Sequence, residues 1–69
     1  MRINGAALRE IRKRSGLSIA KLSEASGVDR SVISRIERGE RRGTPRQHVE
    51  LAQALGCTLV AIGAPEAAA

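Results

Sequence analysis

The chain of 69 residues contains no phenylalanine, tyrosine or tryptophan. Its core must therefore be aliphatic, made of Leu, Ile, Val and Ala. A chain this small fits one compact helical domain of that kind, or one steadied by a second subunit. A single cysteine excludes an internal disulfide, and one His with one Cys excludes a metal site of the usual ligand count. Cys57 lies among Leu55, Leu59 and Val60 and reads as a buried, inert thiol. No apolar run approaches the roughly 20 residues of a membrane span. The N-terminal stretch has no signal-peptide h-region, so the expected location is the cytoplasm. There is no Gly-rich phosphate loop, metal-ligand spacing or nucleophile motif. His48 has no Cys or Asp near it in sequence and reads as a surface or half-buried residue. The expectation is a protein without catalysis, cofactor or small-molecule substrate, and without a membrane.

What is present is positive charge. Twelve Lys and Arg face seven Asp and Glu, a formal net charge of +5, and most of the cations are Arg. The planar guanidinium fork donates paired hydrogen bonds to phosphate and to guanine. A basic balance is the footprint of a nucleic-acid binder, although basic chains also meet membranes and acidic proteins.

Turn and capping residues divide the chain into short helices. Asn4 caps a first helix that runs to about Ser15, with Leu8 and Ile11 inward and Gly16 at its end. Arg12, Lys13 and Arg14 sit in its last turn, where cations favour the helix dipole. Ser18 caps a second helix carrying Ala20, Leu22 and Ala25. Gly27 breaks the chain, and Asp29 caps a third helix that ends at Arg38–Gly39. Hydrophobic staples support these boundaries, because Ile3 and Leu8, Leu17 and Leu22, and Val28 and Ile33 flank the three caps in the same register. Arg41, Arg42 and Gly43 form a basic loop. Thr44-Pro45-Arg46-Gln47 then reads as a capping box with Pro at the first helical position. A fourth helix follows, with Val49, Ala52 and Leu55 expected toward the core, and Gly56 stops it.

The expected fold is all-α, a compact bundle of four to five short helices with a central helix-turn-helix. Residues 1–63 form the domain and residues 64–69 a flexible tail. Thr58 to Ile62 is dense in strand-favouring residues and is read as a strand, the alternative being one helical turn capped by Thr58. Such a strand has no partner expected within its own chain, so its edge calls for the same strand of a second copy.

The third helix carries the functional signal. On a wheel of about 100° per residue counted from Arg30, residues Ser34, Arg38, Ser31 and Arg35 fall at roughly 40°, 80°, 100° and 140°. Val32, Ile36 and Ile33 occupy the opposite arc, roughly 200° to 300°. A solvated face usually mixes Glu with Lys for helix pairing, whereas this one holds Arg and Ser without an acid. Arg forks onto guanine O6 and N7, and Ser gives or accepts hydrogen bonds with several bases. A short helix, a Gly-containing turn and a second helix bearing long cations match the helix-turn-helix arrangement. Arg30, Ser31, Ser34 and Arg35 are the expected base readers. Arg38, Arg41, Arg42 and Arg46 are expected on phosphates, with free amides at the start of helix four beside Arg46. Glu37 turns toward the body of the domain at roughly 340°. A carboxylate there needs a partner, and Arg12 is the expected one.

Gly16-Leu17-Ser18, Leu22, Ala25, Gly27-Val28, Ile33-Ser34-Arg35-Ile36-Glu37-Arg38-Gly39 and Leu51-Ala52-Gln53-Ala54-Leu55-Gly56 resemble the lambda-repressor-like, Cro/C1-type (XRE) helix-turn-helix family. The likeness covers about Leu8 to Gly56. It implies five short helices, binding to double-stranded DNA at a palindromic operator as a homodimer, and transcriptional repression. It places Arg30, Ser31 and Arg35 at base-contacting positions, and Arg12 with Glu37 at a buried ion pair. Two departures stand out. The family usually has Gln after the cap of helix two, where this chain has Ile19, leaving Lys21 or the amides of Ser18 and Ile19 for the phosphate. The segment Cys57 to Ile62 resembles more the HipB-like antitoxin branch, whose C-terminal strand pairs across a dimer. The alternative function is thus an antitoxin that binds a toxin protein and represses its own operon.

Overall fold

The computed structural model describes residues 2–64. In chain order the elements are β1 (Arg2–Ile3), α1 (Gly5–Arg14), α2 (Ile19–Ser26), α3 (Arg30–Glu37), α4 (Pro45–Leu55), α5 (Leu59–Ile62) and β2 (Gly63–Ala64). Each helix begins where a short polar side chain satisfies an orphan amide. Asn4 Oδ1 accepts from the Ala7 amide at 3.1 Å, Ser18 Oγ from Lys21 at 3.1 Å, and Asp29 Oδ2 from Ser31 at 2.9 Å. Thr44 and Gln47 close a reciprocal capping box, at 3.1 and 2.9 Å, behind Pro45. Between α2 and α3 the chain reverses through Gly27, whose φ of +78° is a left-handed conformation that a side chain would strain.

The helices enclose one aliphatic core in which Leu8, Leu22, Ile33, Ile36, Leu51 and Ile62 are fully buried. Ile3 and Leu17, the residues before two of the caps, pack against that core, and Val28, before a third, is itself buried. Gly5 marks a close approach of α1 to α3, since a Cβ on it would collide with the Ile36 carbonyl oxygen. No side chain larger than hydrogen fits there.

The C-terminal segment corrects the strand expected over residues 58–62. Those residues form the turn of helix α5, with Thr58 as its cap and the Ala61 amide bonded to the Thr58 carbonyl at 3.1 Å. Burial decides against the β-propensity of Leu59-Val60-Ala61-Ile62. A helical turn folds Ile62 fully into the core beside α1, where its carbonyl accepts from the Asn4 amide at 2.6 Å. Strand geometry does follow, but later and within the chain. Gly63 and Ala64 pair antiparallel with Ile3 and Arg2, so the strand has its partner in the same copy. Ala64 therefore belongs to β2, and the rest of the expected tail, residues 65–69, lies outside the described residues.

Helix α4 brings a second correction. Its inward stripe is His48, Leu51 and Ala52, with Leu55 half-buried, while Val49 is 39% exposed. His48 is not at the surface but is 4% exposed, in a place a periodic apolar residue would fill. Cys57 is a half-buried free thiol, and burial raises its pKa. None of the described helices is long and apolar enough to cross a membrane.

Candidate nucleic-acid interface

Helices α2 and α3, joined by Gly27-Val28-Asp29, form a helix-turn-helix. The inner side of α3 is anchored by buried Ile33 and Ile36, with half-buried Val32 beside them. The other side is left open. Arg30, Ser31 and Arg35 are exposed, Ser34 is half-buried, and Arg38 follows as an exposed C-cap. None of Arg30, Arg35, Arg41 and Arg42 forms an ion pair among the described residues. Their guanidiniums are therefore available to an external acceptor.

The orientation of α3 is set by a buried charge pair. Arg12 Nε donates to Glu37 Oε2 at 2.7 Å and Nη2 donates to Oε1 at 3.1 Å, the bidentate geometry of a guanidinium facing a carboxylate. The side chains are 11% and 5% exposed. The third arm, Arg12 Nη1, donates to the Leu17 carbonyl at 2.9 Å. One side chain thus ties α1 to the end of α3 and to the residue before the α2 cap. The hydrogen bond to Glu37 raises the Arg12 pKa above its ordinary value, outweighing the opposing effect of burial.

At the other end of α3, Asp29 takes hydrogen bonds from both the hydroxyl and the amide of Ser31, and these lower its pKa. The Ser31 hydroxyl proton is thereby committed inside the chain, which leaves its lone pairs to face outward as acceptors.

The cations expected on phosphates occupy three places. Arg41 and Arg42 lie exposed in the loop after α3, Arg46 lies in the first turn of α4, and Arg38 caps α3. Two of them hold carboxylates: Arg38 pairs with the exposed Glu40 at 3.0 Å, and Arg46 with the half-buried Glu50 at 4.0 Å. Of the α4 amides, Pro45 has none and Gln47 is capped, so the first turn offers the single amide of Arg46. At the start of α2, Ser18 Oγ already holds the Lys21 amide, and Lys21 Nζ sits 3.7 Å from Glu24.

Ile19, which stands where a polar residue is usual in the family the sequence resembles, packs against the core. It also lines a cleft of about 230 Å³ with Arg9, Arg12, Ser34, Glu37 and Arg38. That cleft brings Ile19, Ser34 and Arg38 together and adds a residue that sequence reasoning misses. Arg9 lies one turn before Arg12 on the same face of α1, and that spacing is its only signal in the sequence.

A helix-turn-helix family model, HTH_3, matches residues 8–62, which span the described site from α1 to α5. The chain belongs to the HTH_3 family of DNA-binding regulators. Among solved HTH_3-like structures, the restriction-modification controller protein C.AhdI from Aeromonas hydrophila is 38% identical over 83% of this chain and 86% of its own, with a TM-score of 0.80. The clp gene regulator ClgR from C. glutamicum is 34% identical over 80% and 71%, with a TM-score of 0.74. SinR, a master regulator for biofilm formation whose structure was solved in complex with DNA, is 27% identical over 80% and 89%, with a TM-score of 0.76. No curated protein matches the chain. The Cro/C1-type resemblance read over about Leu8 to Gly56 is thus matched by the family model and extends to residue 62, whereas none of these likenesses places the chain in the HipB-like branch.

Proposed function

We propose that this HTH_3 regulator is a sequence-specific transcriptional repressor that binds a palindromic operator as a homodimer. The observation that carries the reading is the acid-free Arg and Ser face of α3, held at a fixed angle by the Arg12–Glu37 pair. Two such helices related by a two-fold axis enter successive major grooves about 34 Å apart and exclude polymerase from the promoter. Arg30 and Arg35 have the reach and the two-pronged donor geometry for guanine O6 and N7. Ser31, with its proton on Asp29, accepts from a base amino group, which means cytosine N4 or adenine N6. Ser34 reads from the cleft edge. Arg38, Arg41, Arg42 and Arg46, with the amides of Ser18 and Ile19 and the side chain of Lys21, take phosphates. Roughly 6–10 such contacts per dimer would make binding steeply salt-dependent.

A second copy is supported by the surface around α5. Val60 is 81% exposed, with Leu59 and Val49 also exposed beside a shallow apolar groove lined by Pro45 and His48. Covering that patch suits a domain whose core has no aromatic residue. The antitoxin alternative drew its structural support from a strand crossing to a second copy. With β2 paired to β1 in the same chain, no specific observation favours it.

Selection of bound duplexes from a random pool tests the proposal. The expected product is an inverted repeat with half-site centres about 10 base pairs apart and guanine within each half-site. Recovery of DNA without a shared motif would overturn it.

A further inference from the structure

The basic loop after α3 is held at both ends. At its start, the Gly39 amide donates to the Ile36 carbonyl at 3.0 Å and the Glu40 amide to the Arg35 carbonyl at 2.8 Å. At its end, the Thr44–Gln47 box fixes the entry to α4. Between them lie Arg41 and Arg42. Among the described residues, the one hydrogen bond that fixes the backbone of this pair comes from His48, whose Nε2 lies 2.8 Å from the Arg42 carbonyl oxygen. A carbonyl only accepts, so Nε2 carries the proton and donates. Gly43 presses the same stretch against both neighbouring helices. A Cβ there would lie 2.9 Å from Ile36 Cδ1 and 3.5 Å from His48 Cδ2, and its φ of +73° favours glycine in any case. The contact is thus continuous from recognition helix to loop to α4.

Packing alone does not call for histidine at this place. The position continues the apolar stripe of Leu51 and Ala52, and a leucine would fill it without burying a polar ring. What the imidazole adds is a donor aimed at the loop. We propose that His48 is a positioning residue for DNA binding, its Nε2–H holding the Arg42 carbonyl so that Arg41 and Arg42 present their guanidiniums to phosphates from a fixed backbone. The inference rests on the reading of those two arginines as phosphate contacts. Without the bond the loop keeps its charge but must be ordered on binding, and fixing even one residue's backbone lowers affinity by about tenfold.

The test measures operator binding by fluorescence anisotropy for His48→Leu, His48→Gln and His48→Asn, each shown folded by circular dichroism. Leu removes the donor, Asn ends short of the carbonyl, and the Gln amide reaches the place of Nε2. Leu and Asn are expected to bind about tenfold more weakly to every sequence, with base preference unchanged and Gln restoring the affinity. His48→Leu is also placed in an Arg41→Ala/Arg42→Ala background, where it is expected to have no further effect. An equal loss in that background, or a Gln variant as weak as Leu, would mean a general structural role and overturn the inference. Wild-type affinity in both Leu and Asn would overturn it as well, and either variant suffices if the other fails to fold. Should the Arg41→Ala/Arg42→Ala protein weaken while His48→Leu does not, only the role of His48 falls. Should the double arginine variant bind as wild type, the phosphate reading falls and the inference with it.

Discussion

Replacing Glu37 with Gln strands the Arg12 guanidinium in a site where it is nearly enclosed. The carboxylate accepts two hydrogen bonds, at 2.7 and 3.1 Å, and the side chains are 11% and 5% exposed. Removing one member of a buried pair costs about 3–5 kcal/mol, chiefly because the remaining charge has no counterpart. The lower end applies here, since the Arg12–Leu17 bond survives the change and the amide of Gln still accepts one hydrogen bond. A domain of 69 residues has a total stability of about 3–10 kcal/mol. A loss of about 3 kcal/mol thus removes about three tenths of it or more and lowers Tm by about 12–24 °C. Thermal melts followed by far-ultraviolet circular dichroism read this directly. The apolar pair Arg12→Met with Glu37→Leu should recover most of the loss, because it buries no charge. A Glu37→Gln melt within about 3 °C of wild type would refute the reasoning, as would a double variant whose loss equals the sum of the single ones.

Three further outcomes follow from other parts of the molecule. Gly5→Ala gains up to about 1 kcal/mol of helix propensity but drives a methyl onto the Ile36 carbonyl oxygen, so urea denaturation should show a net loss of about 1–3 kcal/mol; a stabilised variant would contradict the close packing of α1 on α3. Asp29 is held below its ordinary pKa by the Ser31 hydrogen bonds, so the stability it adds is fully present above the usual carboxylate range and is lost as pH falls through its lower folded value. Urea midpoints measured from about pH 5 to about pH 2 should therefore fall more steeply for wild type than for Asp29→Asn, and parallel curves would discount the cap. Val60→Glu places a charge in the exposed apolar patch, so in analytical ultracentrifugation the proposed homodimer should shift toward monomer; a dimer unchanged by the substitution would move the interface elsewhere.

The legible features are those fixed by local chemistry. Asn4, Ser18, Asp29 and Thr44 mark helix starts because each serves an amide two or three residues away. The two faces of α3 follow from helical periodicity alone. Glu37 signals its own partner, since a carboxylate turned inward requires a cation and the first helix ends in three of them. What stays hidden depends on neighbours distant in sequence. The β-prone run Leu59 to Ile62 looks like a strand until Ile62 finds its place beside α1. His48 reads as a surface or half-buried residue because histidine is polar by type, and Val49 takes its place in the expected core stripe, whereas the loop carbonyl of Arg42 makes the ring at home there. Arg9 becomes visible only when α1, α2 and α3 close a cleft around it.

Comparing Arg35→Ala with Arg42→Ala tests whether one face of α3 reads bases while the surrounding arginines hold phosphates. Each variant is measured against the full set of single-base substitutions in the selected operator at several salt concentrations. Arg35→Ala should relax the preference at one position of each half-site, with a change of about 1–3 kcal/mol there. Arg42→Ala should weaken all sequences about equally and reduce the salt slope by about one for each phosphate no longer neutralised. If both variants lowered affinity uniformly and left every base preference in place, α3 would not be the reading element.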